Sequence, residues 1–195
     1  GFVFDVAGTS IFVLSHSTLL CLLAFGNSIV AREMLRAASN SMNLEVGTVS
    51  QLPIRVKQSA EIERMASQLI DLYRSDWDQD ERSWAFSTLP LVEADEALLR
   101  QAVEQTLSYR AEVTSLARQL EESLNRRFIE IYGVSGLLRP DVPIEDIALK
   151  GNHRSRFPVL DAAVSREAAA TDLTRDLLSF AVGCMFGRYS LDVPG

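Results

Sequence analysis

The strongest constraint on the fold of this chain is an unbroken helical spacing between Asp95 and Tyr132. Residues that step by three or four positions throughout this stretch are Leu99, Val103, Thr106, Arg110, Val113, Ala117, Leu120, Leu124, Phe128 and Ile131. This spacing predicts one helix of roughly 40 residues, about 55 Å long, with a coiled-coil-like seam. Gly133 and Gly136 follow at once and are expected to end the helix.

Helical spacing covers most of the remaining chain, so we expect a mainly α fold. One helix of about 20 residues should begin at Ser17 or Thr18, a second near Lys57, and a third should cover 160–191. A short helix near 143–149 is expected within a proline-rich loop. Only 2–14 and 43–54 have strand composition, which predicts a small α+β part. The predicted domains are an α+β region (1–56), a long helical spacer hairpin (57–136), and a loop with a C-terminal helix that packs on the spacer (137–195).

Charge is unevenly distributed along the chain. The net charge is −7, yet the first 57 residues hold four basic and three acidic side chains, and the remainder holds fifteen basic and twenty-three acidic ones. A chain that is acidic overall is not a general polyphosphate binder, so any contact with nucleic acid must come from a local basic face.

The chain is expected to be cytoplasmic and to span no membrane. Its longest apolar run, 11–25, is interrupted by polar residues and is shorter than the roughly 20 residues that a bilayer span needs. Cys21 and Cys184 lie among apolar neighbours without metal-binding spacing, which favours reduced, buried thiols. The first residues include neither an initiator Met nor a basic leader, so we expect an internal piece of a longer chain.

An acidic run, Asp76, Asp78 and Asp80, has the opening spacing of a calcium loop. The sixth position is Glu81 instead of Gly and the twelfth is Ser87 instead of Glu, so a solvated connector is the favoured interpretation. The flanking Trp77 and Trp84 are expected to anchor this connector to the helices. No arrangement of nucleophile, base or metal ligands stands out elsewhere, so no catalytic or metal-binding residue is predicted.

Two further motifs admit more than one interpretation. Lys150, His153, Arg154 and Arg156 form a basic loop that is equally consistent with phosphate binding and with a solvated loop. Gly183 and Gly187 have the G-x-x-x-G spacing of close helix packing. Nearby charges, including Arg175 and Arg188, exclude a lipid-facing helix, so we expect a second helix to pack closely against these glycines.

Several stretches together resemble the adenine-specific DNA methyltransferases of bacterial phage-exclusion (BREX) systems, relatives of the single-chain restriction-modification enzymes. They are "LLCLLAFGNSIVAREML", "NLEVGTVSQLPI", "DWDQDERSWAFSTLPL", "RRFIEIYGV", "DVPIEDIAL" and "FAVGCMFGRYSLDVPG". The resemblance implies a parent protein that binds S-adenosylmethionine and methylates a flipped adenine. The catalytic tetrapeptide of that family, Asn/Asp-Pro-Pro-Tyr/Phe, is missing because no two prolines are adjacent here, and its glycine-rich cofactor loop is missing too. No cofactor is therefore expected in this segment.

The resemblance places the chain in the C-terminal part of such an enzyme, with 1–56 as the end of a target-recognition region and a helical spacer after it. "LPIRVKQSAEIERMASQLIDL" is similar to the point where recognition domains of restriction specificity subunits end and a spacer helix begins. The expected partner is double-stranded DNA, bound through the parent protein. Charge placement alone suggests the residues that contact phosphates. The first candidates are Arg32, Arg36, Arg55 and Lys57, and Arg154 and Arg156 are second-ranked candidates. The alternative is a helical docking module for other proteins of the defence system that makes no DNA contact.

Overall fold

The computed structural model describes residues 10–38, 46–55, 59–94 and 96–189, and these are mainly helical, which confirms the predicted fold class. The helices are α1 (His16–Gly26), α2 (Ile29–Ala38), α3 (Val46–Ser50), α4 (Ala60–Trp77), α5 (Pro90–Glu93), α6 (Leu99–Tyr132), α7 (His153–Arg156) and α8 (Ala162–Met185). A 3-10 turn, Ile144–Asp146, occupies the region where a short helix was expected.

The small β part is not seen in the described residues. Residues 10–14 form no strand, and α3 replaces the strand expected at 43–54, whereas 2–9 and 43–45 lie outside the described residues. A strand must pair its backbone groups with a neighbouring strand. Here those groups are satisfied locally instead, since Ser50 Oγ donates to the carbonyl of Gly47 at 2.9 Å and the amide of Gln51 donates to that of Thr48 at 3.3 Å.

The helix expected from Ser17 is broken into α1 and α2, which are bent by 67°. Ser15, not Ser17 or Thr18, caps the start of α1, and the Asn27 side-chain amide donates to the Leu23 carbonyl at its end, at 2.9 Å. Ser28 Oγ then accepts from the Ala31 amide at 3.3 Å and starts α2. No single helix in the described ranges is long and apolar enough to cross a bilayer; α1 and α2 reach that length and composition only as a bent pair.

The long helix predicted before Gly133 is confirmed as α6, a continuous helix of 34 residues and about 50 Å. It begins four residues after Asp95. Gly133 ends it with a φ of +66°, a left-handed conformation that suits glycine. The amide of Val134 reaches back to the carbonyl of Ile129 at 3.0 Å and satisfies a carbonyl of the last turn.

The chain forms two compact units, and both α4 and α6 contribute to each of them. Unit 1 comprises residues 1–69 and 120–141, and unit 2 comprises 70–119 and 142–195. The core of unit 1 is built around Phe25 and Phe128, whose ring centroids lie 5.7 Å apart, and Tyr132 stacks on Phe25 at 5.6 Å. The three-part division at 56 and 136 stays a prediction.

Unit 2 has an aliphatic cluster and an aromatic cluster. The aliphatic cluster joins α6 to α8, with Val103, Leu107, Ala169 and Leu173 among its buried members. The aromatic cluster contains the following rings: Phe86, Phe180 and Tyr189.

The expected role of the terminal glycines is wrong. A Cβ on Gly183 would lie 2.5 Å from Cδ2 of Tyr189, so the glycine makes room for an aromatic ring and not for a second helix. Gly187, with a φ of +73°, ends α8 and turns the chain back so that Tyr189 reaches this position.

Candidate nucleic-acid interface

Arg32 and Arg36 lie one turn apart on α2 in unit 1, with side chains 51% and 68% exposed. Glu33 lies 3.9 Å from the Arg32 guanidinium and 3.0 Å from that of Arg36. Exposed pairs of this kind contribute little to stability, so the Arg36 guanidinium can turn to a phosphate at small cost.

Asn125 of α6 positions the start of α2. Its side-chain oxygen accepts from the Ile29 amide at 2.8 Å, and its side-chain nitrogen donates to the Pro140 carbonyl at 3.1 Å. Because Asn125 is buried, both ends of its side-chain amide need these partners within the fold. Asn125 thereby fixes the helix that carries Arg32 and Arg36.

Arg55 is held by the last residue of α6. Its amide donates to the Tyr132 hydroxyl at 2.9 Å, and that hydroxyl donates to the Pro53 carbonyl at 2.9 Å. The exposed guanidinium lies 6.0 Å from the Tyr132 ring centroid, at the outer limit of a cation–π contact. Lys57, the remaining candidate of this group, lies outside the described residues.

In unit 2 the acidic run and the basic loop meet, so the interpretation of the run as a solvated connector is wrong. The Asp76 carboxylate accepts from the amides of both Lys150 and Gly151, the second at 2.8 Å. Lys150 Nζ lies 3.0 Å from the carboxylate of Asp80 and 3.7 Å from that of Asp176. Residues 76–80 therefore hold the segment around 150.

Asp80 is the most strongly perturbed acid of this cluster. Three hydrogen bonds from Arg82, the shortest at 2.7 Å, hold the pKa of the Asp80 carboxyl far below its usual range, and Lys150 acts in the same direction. Burial of Asp80, which is 4% exposed as a residue, opposes this shift. The anchoring role expected for Trp84 is wrong because its ring is fully exposed, and Trp77, 46% exposed, lies 5.5 Å from the Arg82 guanidinium.

The basic loop is folded and ion-paired. Arg154 lies 2.8 Å from the Glu145 carboxylate and also donates to the Leu160 carbonyl at 3.0 Å, and Arg156 lies 2.7 Å from Asp172. Asn152 caps α7 and donates to the carbonyls of Ile144 and Ile147, which ties the loop to the preceding 3-10 turn. A phosphate would have to compete with these internal partners for Arg154 and Arg156.

The two units differ in charge. Unit 1 holds eight Lys and Arg against nine Asp and Glu, a net charge of −1, whereas unit 2 holds eleven against seventeen, a net charge of −6. Most of the excess negative charge therefore lies in unit 2. Long-range repulsion of a nucleic-acid backbone is correspondingly weaker at unit 1.

Sequence reasoning missed the polar residues that position these groups, above all Asn125, Tyr132 and Asp76. Asn125 does carry a signal, because an amide next to the apolar seam residue Leu124 of a long helix must find a partner when it is buried. No sequence pattern near Asp76 identifies it as the acceptor for the amides of Lys150 and Gly151, which lie 74 and 75 positions further along the chain.

No protein-family model matches the sequence. Two curated proteins match along all of it. One is the adenine-specific methyltransferase PglX of Lacticaseibacillus casei (strain Zhang), 34% identical over 200 aligned residues, and the other is the adenine-specific methyltransferase BrxX of Escherichia coli O9:H4 (strain HS), 27% identical over 200. The chain spans 15% of the length of the first and 16% of the second.

Proposed function

Because this chain belongs over its whole length to the family of the adenine-specific methyltransferases PglX and BrxX, we propose that it is a non-catalytic DNA-recognition and spacer segment of such an enzyme. The observation that carries the proposal is the combination of a match along the whole chain with coverage of only 15–16% of those relatives. The parent would be an N6-adenine-specific DNA methyltransferase of a phage-defence or restriction-modification system, located in the cytoplasm.

The methyl donor is assigned to another part of the parent, because the glycines that the structure describes in α1 and at the end of α8 do not fit it. A nucleotide-type cofactor loop places glycines between a strand and the start of a helix. Gly26 is instead the last residue of α1, Gly187 ends α8, and the space over Gly183 is filled by the Tyr189 ring. S-adenosylmethionine would supply the methyl group there, and this segment would contribute to holding the DNA.

The DNA contacts are assigned first to Arg32, Arg36, Arg55 and Lys57, with Arg154 and Arg156 in a secondary position. Exposed guanidinium groups on α2 and the smaller negative charge of unit 1 support this order. Phosphate contacts of this type carry no sequence information and would set the position of the protein on the duplex.

Fluorescence anisotropy with a short DNA duplex tests the proposal. We expect binding that weakens between about 50 and 200 mM salt with a slope near −0.9 for each phosphate contact. The double variant Arg32→Gln/Arg36→Gln should lose affinity and reduce the slope by about two contacts. Arg100→Gln, which removes an exposed guanidinium from α6 in unit 2, is the matched control and should bind as the wild type does.

A second candidate function is docking to other defence proteins without DNA contact. It is favoured by an exposed apolar stripe on α8, formed by Leu178, Val182 and Met185 at helical spacing. Absence of duplex binding at low salt would overturn the DNA proposal and leave this one. If the Arg32→Gln/Arg36→Gln variant binds the duplex as the wild type does, the DNA contacts do not involve these two arginines of α2.

A further inference from the structure

Trp84 stands out in unit 2 because its ring is fully exposed although the chain is held on both sides of it. On one side, Ser83 Oγ donates to the Asp78 carboxylate at 2.6 Å and accepts from the Ala85 amide at 3.2 Å. On the other side, Phe86 is buried in the aromatic cluster. Tryptophan carries a large apolar area and is a frequent anchor residue of protein interfaces. A held segment that keeps this ring in solvent presents it to a partner at a small cost in ordering.

Trp77, the second tryptophan of the chain, is placed differently. It is 46% exposed, and the Arg82 guanidinium lies 5.5 Å from the centroid of its ring. Arg82 is itself held by the Asp80 carboxylate at 2.7 Å, so the chain supplies this ring with its own cation. Among the described residues, no arginine or lysine lies over the Trp84 ring. Trp84 therefore leaves open the kind of ring face that Arg82 already uses on Trp77.

A groove of about 400 Å³ begins next to Trp84, since the following residue, Ala85, helps to line it. The end of α4 and the residues just after it form one wall, and 85–88 and α5 form the other, all within unit 2. The volume lies within the range of ligand-binding clefts. Three carboxylates and one guanidinium line the groove: Asp71, Asp78, Glu93 and Arg74.

Most of the charged groups in this groove are available to a partner. In the part of the chain that the structure describes, the side chains of Asp71, Arg74 and Glu93 are exposed and take part in no ion pair or hydrogen bond. Asp78 accepts from Ser83 with one of its two oxygens. Three negative charges and one positive charge leave the groove at −2, and unit 2 as a whole has a net charge of −6. The groove therefore attracts cations and repels a nucleic-acid backbone.

We propose that Trp84 and the groove form a docking surface for a basic segment of a separate protein. An arginine or lysine of that segment stacks on the Trp84 ring, which attracts a cation through its negative face. Further basic groups of the segment pair with the carboxylates of the groove, and this complementarity selects the partner. A nucleobase also stacks on tryptophan, but its phosphates would meet the three carboxylates. The surface uses none of the arginines assigned to DNA above, so the two proposals can fail separately.

Fluorescence of the 195-residue chain tests the stacking. The variant Trp77→Phe leaves Trp84 as the single tryptophan and keeps an aromatic ring beside Arg82. The probe is a synthetic octapeptide of alternating arginine and glycine, and the control is the same peptide with glutamate in place of arginine. We expect a saturable change in Trp84 emission with the arginine peptide only, and weaker binding at higher salt.

Calorimetric titration with the arginine peptide tests the two parts of the surface. Trp84→Leu keeps an apolar side chain but removes the ring, and should weaken binding about two- to fivefold. Asp71→Asn/Glu93→Gln should weaken it by a similar factor and reduce its salt dependence. Glu112→Gln/Glu167→Gln removes two exposed carboxylates of unit 2 outside the groove and should stay close to the wild-type affinity. All these side chains are exposed, so every variant should remain folded.

Equal affinity of the wild type and Trp84→Leu would overturn the proposal, and so would equal losses in the two double variants, which would reduce the effect to net charge. A DNA duplex that changes Trp84 emission where the arginine peptide does not would assign the ring to nucleobase stacking instead. A change in emission that follows protein concentration alone would replace the basic segment by a second copy of the chain.

The whole enzyme that contains this chain provides the last test, because the chain spans only 15–16% of its relatives. If the whole enzyme binds the arginine peptide and Trp84→Leu weakens that binding, the surface is open to a separate protein. If the whole enzyme does not bind the peptide, the rest of the enzyme already fills the groove, and the proposal of a separate partner is overturned.

Discussion

Gly183 lies in the last turns of α8, where the ring of Tyr189 folds back onto the helix. The ring stacks on Phe180 with centroids 5.0 Å apart and meets Phe86 at 5.5 Å, and its hydroxyl lies 3.3 Å from the Glu81 carboxylate. At the scale of single residues, one missing Cβ therefore permits the aromatic cluster of unit 2 to form.

Gly183→Ala should destabilise the protein by about 1–3 kcal/mol, because the new methyl group overlaps the Tyr189 ring. In a Tyr189→Ala background the same change should cost much less, and urea unfolding of the four variants measures the coupling. Gly136→Ala is the control, since a Cβ there meets nothing within 4 Å. An equal loss in both backgrounds would contradict the role of the ring.

Asp80→Asn should lower the free energy of unfolding at neutral pH by about 1–3 kcal/mol, because it removes the negative charge and one of the two oxygens that face Arg82 and Lys150. The pKa of Asp80 is lower in the folded protein than in the unfolded chain, so its contribution is present above about pH 4 and is lost as the pH falls further. Urea unfolding of both proteins between pH 7 and pH 2 should show the difference shrinking with acid. A difference that grows instead would refute this assignment. Asp71→Asn, at an exposed position on α4, is the control.

At the scale of elements, α6 determines where α2 begins. The helix expected from Ser17 is interrupted at Asn27 and Ser28, and the first amide of α2 donates to Asn125 of α6 instead of continuing the previous helix. The same Asn125 side chain holds the Pro140 carbonyl beyond the end of α6. One amide group thus joins three segments of unit 1.

Asn125→Ala should lower the free energy of unfolding by about 1–3 kcal/mol, because the Ile29 amide and the Pro140 carbonyl both lose their partner. If α2 carries DNA contacts, the variant should also bind the duplex more weakly at a temperature where it is still folded. Circular dichroism melts and anisotropy measure the two effects. Arg126→Ala, one position further along and exposed, serves as the control, and equal stability of the two variants would argue against the bridge.

At the scale of the whole chain, the basic candidates fall into two classes according to their unit. Among the described residues, Arg36 of unit 1 pairs with the half-buried Glu33 on its own helix, whereas Arg154 of unit 2 pairs with Glu145 and donates to a backbone carbonyl. The first class is available to a partner, and the second contributes to folding.

Arg154→Gln should therefore cost about 1–3 kcal/mol of stability, since it removes two charge-assisted hydrogen bonds. Arg36→Gln should stay within about 0.5 kcal/mol of the wild type. Thermal or urea unfolding of the two variants distinguishes them. Comparable losses, or a larger loss for Arg36→Gln, would show that the division by unit does not hold.

Much of the architecture could be predicted, because α6, α4 and α8 have apolar periods long enough to specify a helix without tertiary help. The resemblance to adenine-specific methyltransferases is likewise confirmed by matches along the whole chain. The failures occur in short segments. Val46–Ser50 has β-branched residues but no strand to pair with in the described ranges. Trp84 follows a connector in which Asp76 binds the amide of the distant Gly151, a contact that the local sequence does not reveal.

The sequence by itself determined the fold class, the long helix and its end at Gly133, since each depends on residues within a few turns of one another. Only the tertiary structure decided which polar groups meet. Asp76 and Gly151 are 75 positions apart, and Ile29 and Asn125 are 96 apart, so no local pattern specifies either contact. A polar group that is buried loses its hydrogen bonds to water and needs a protein group in their place. Which protein group lies near enough to form that bond is determined only by the folded chain.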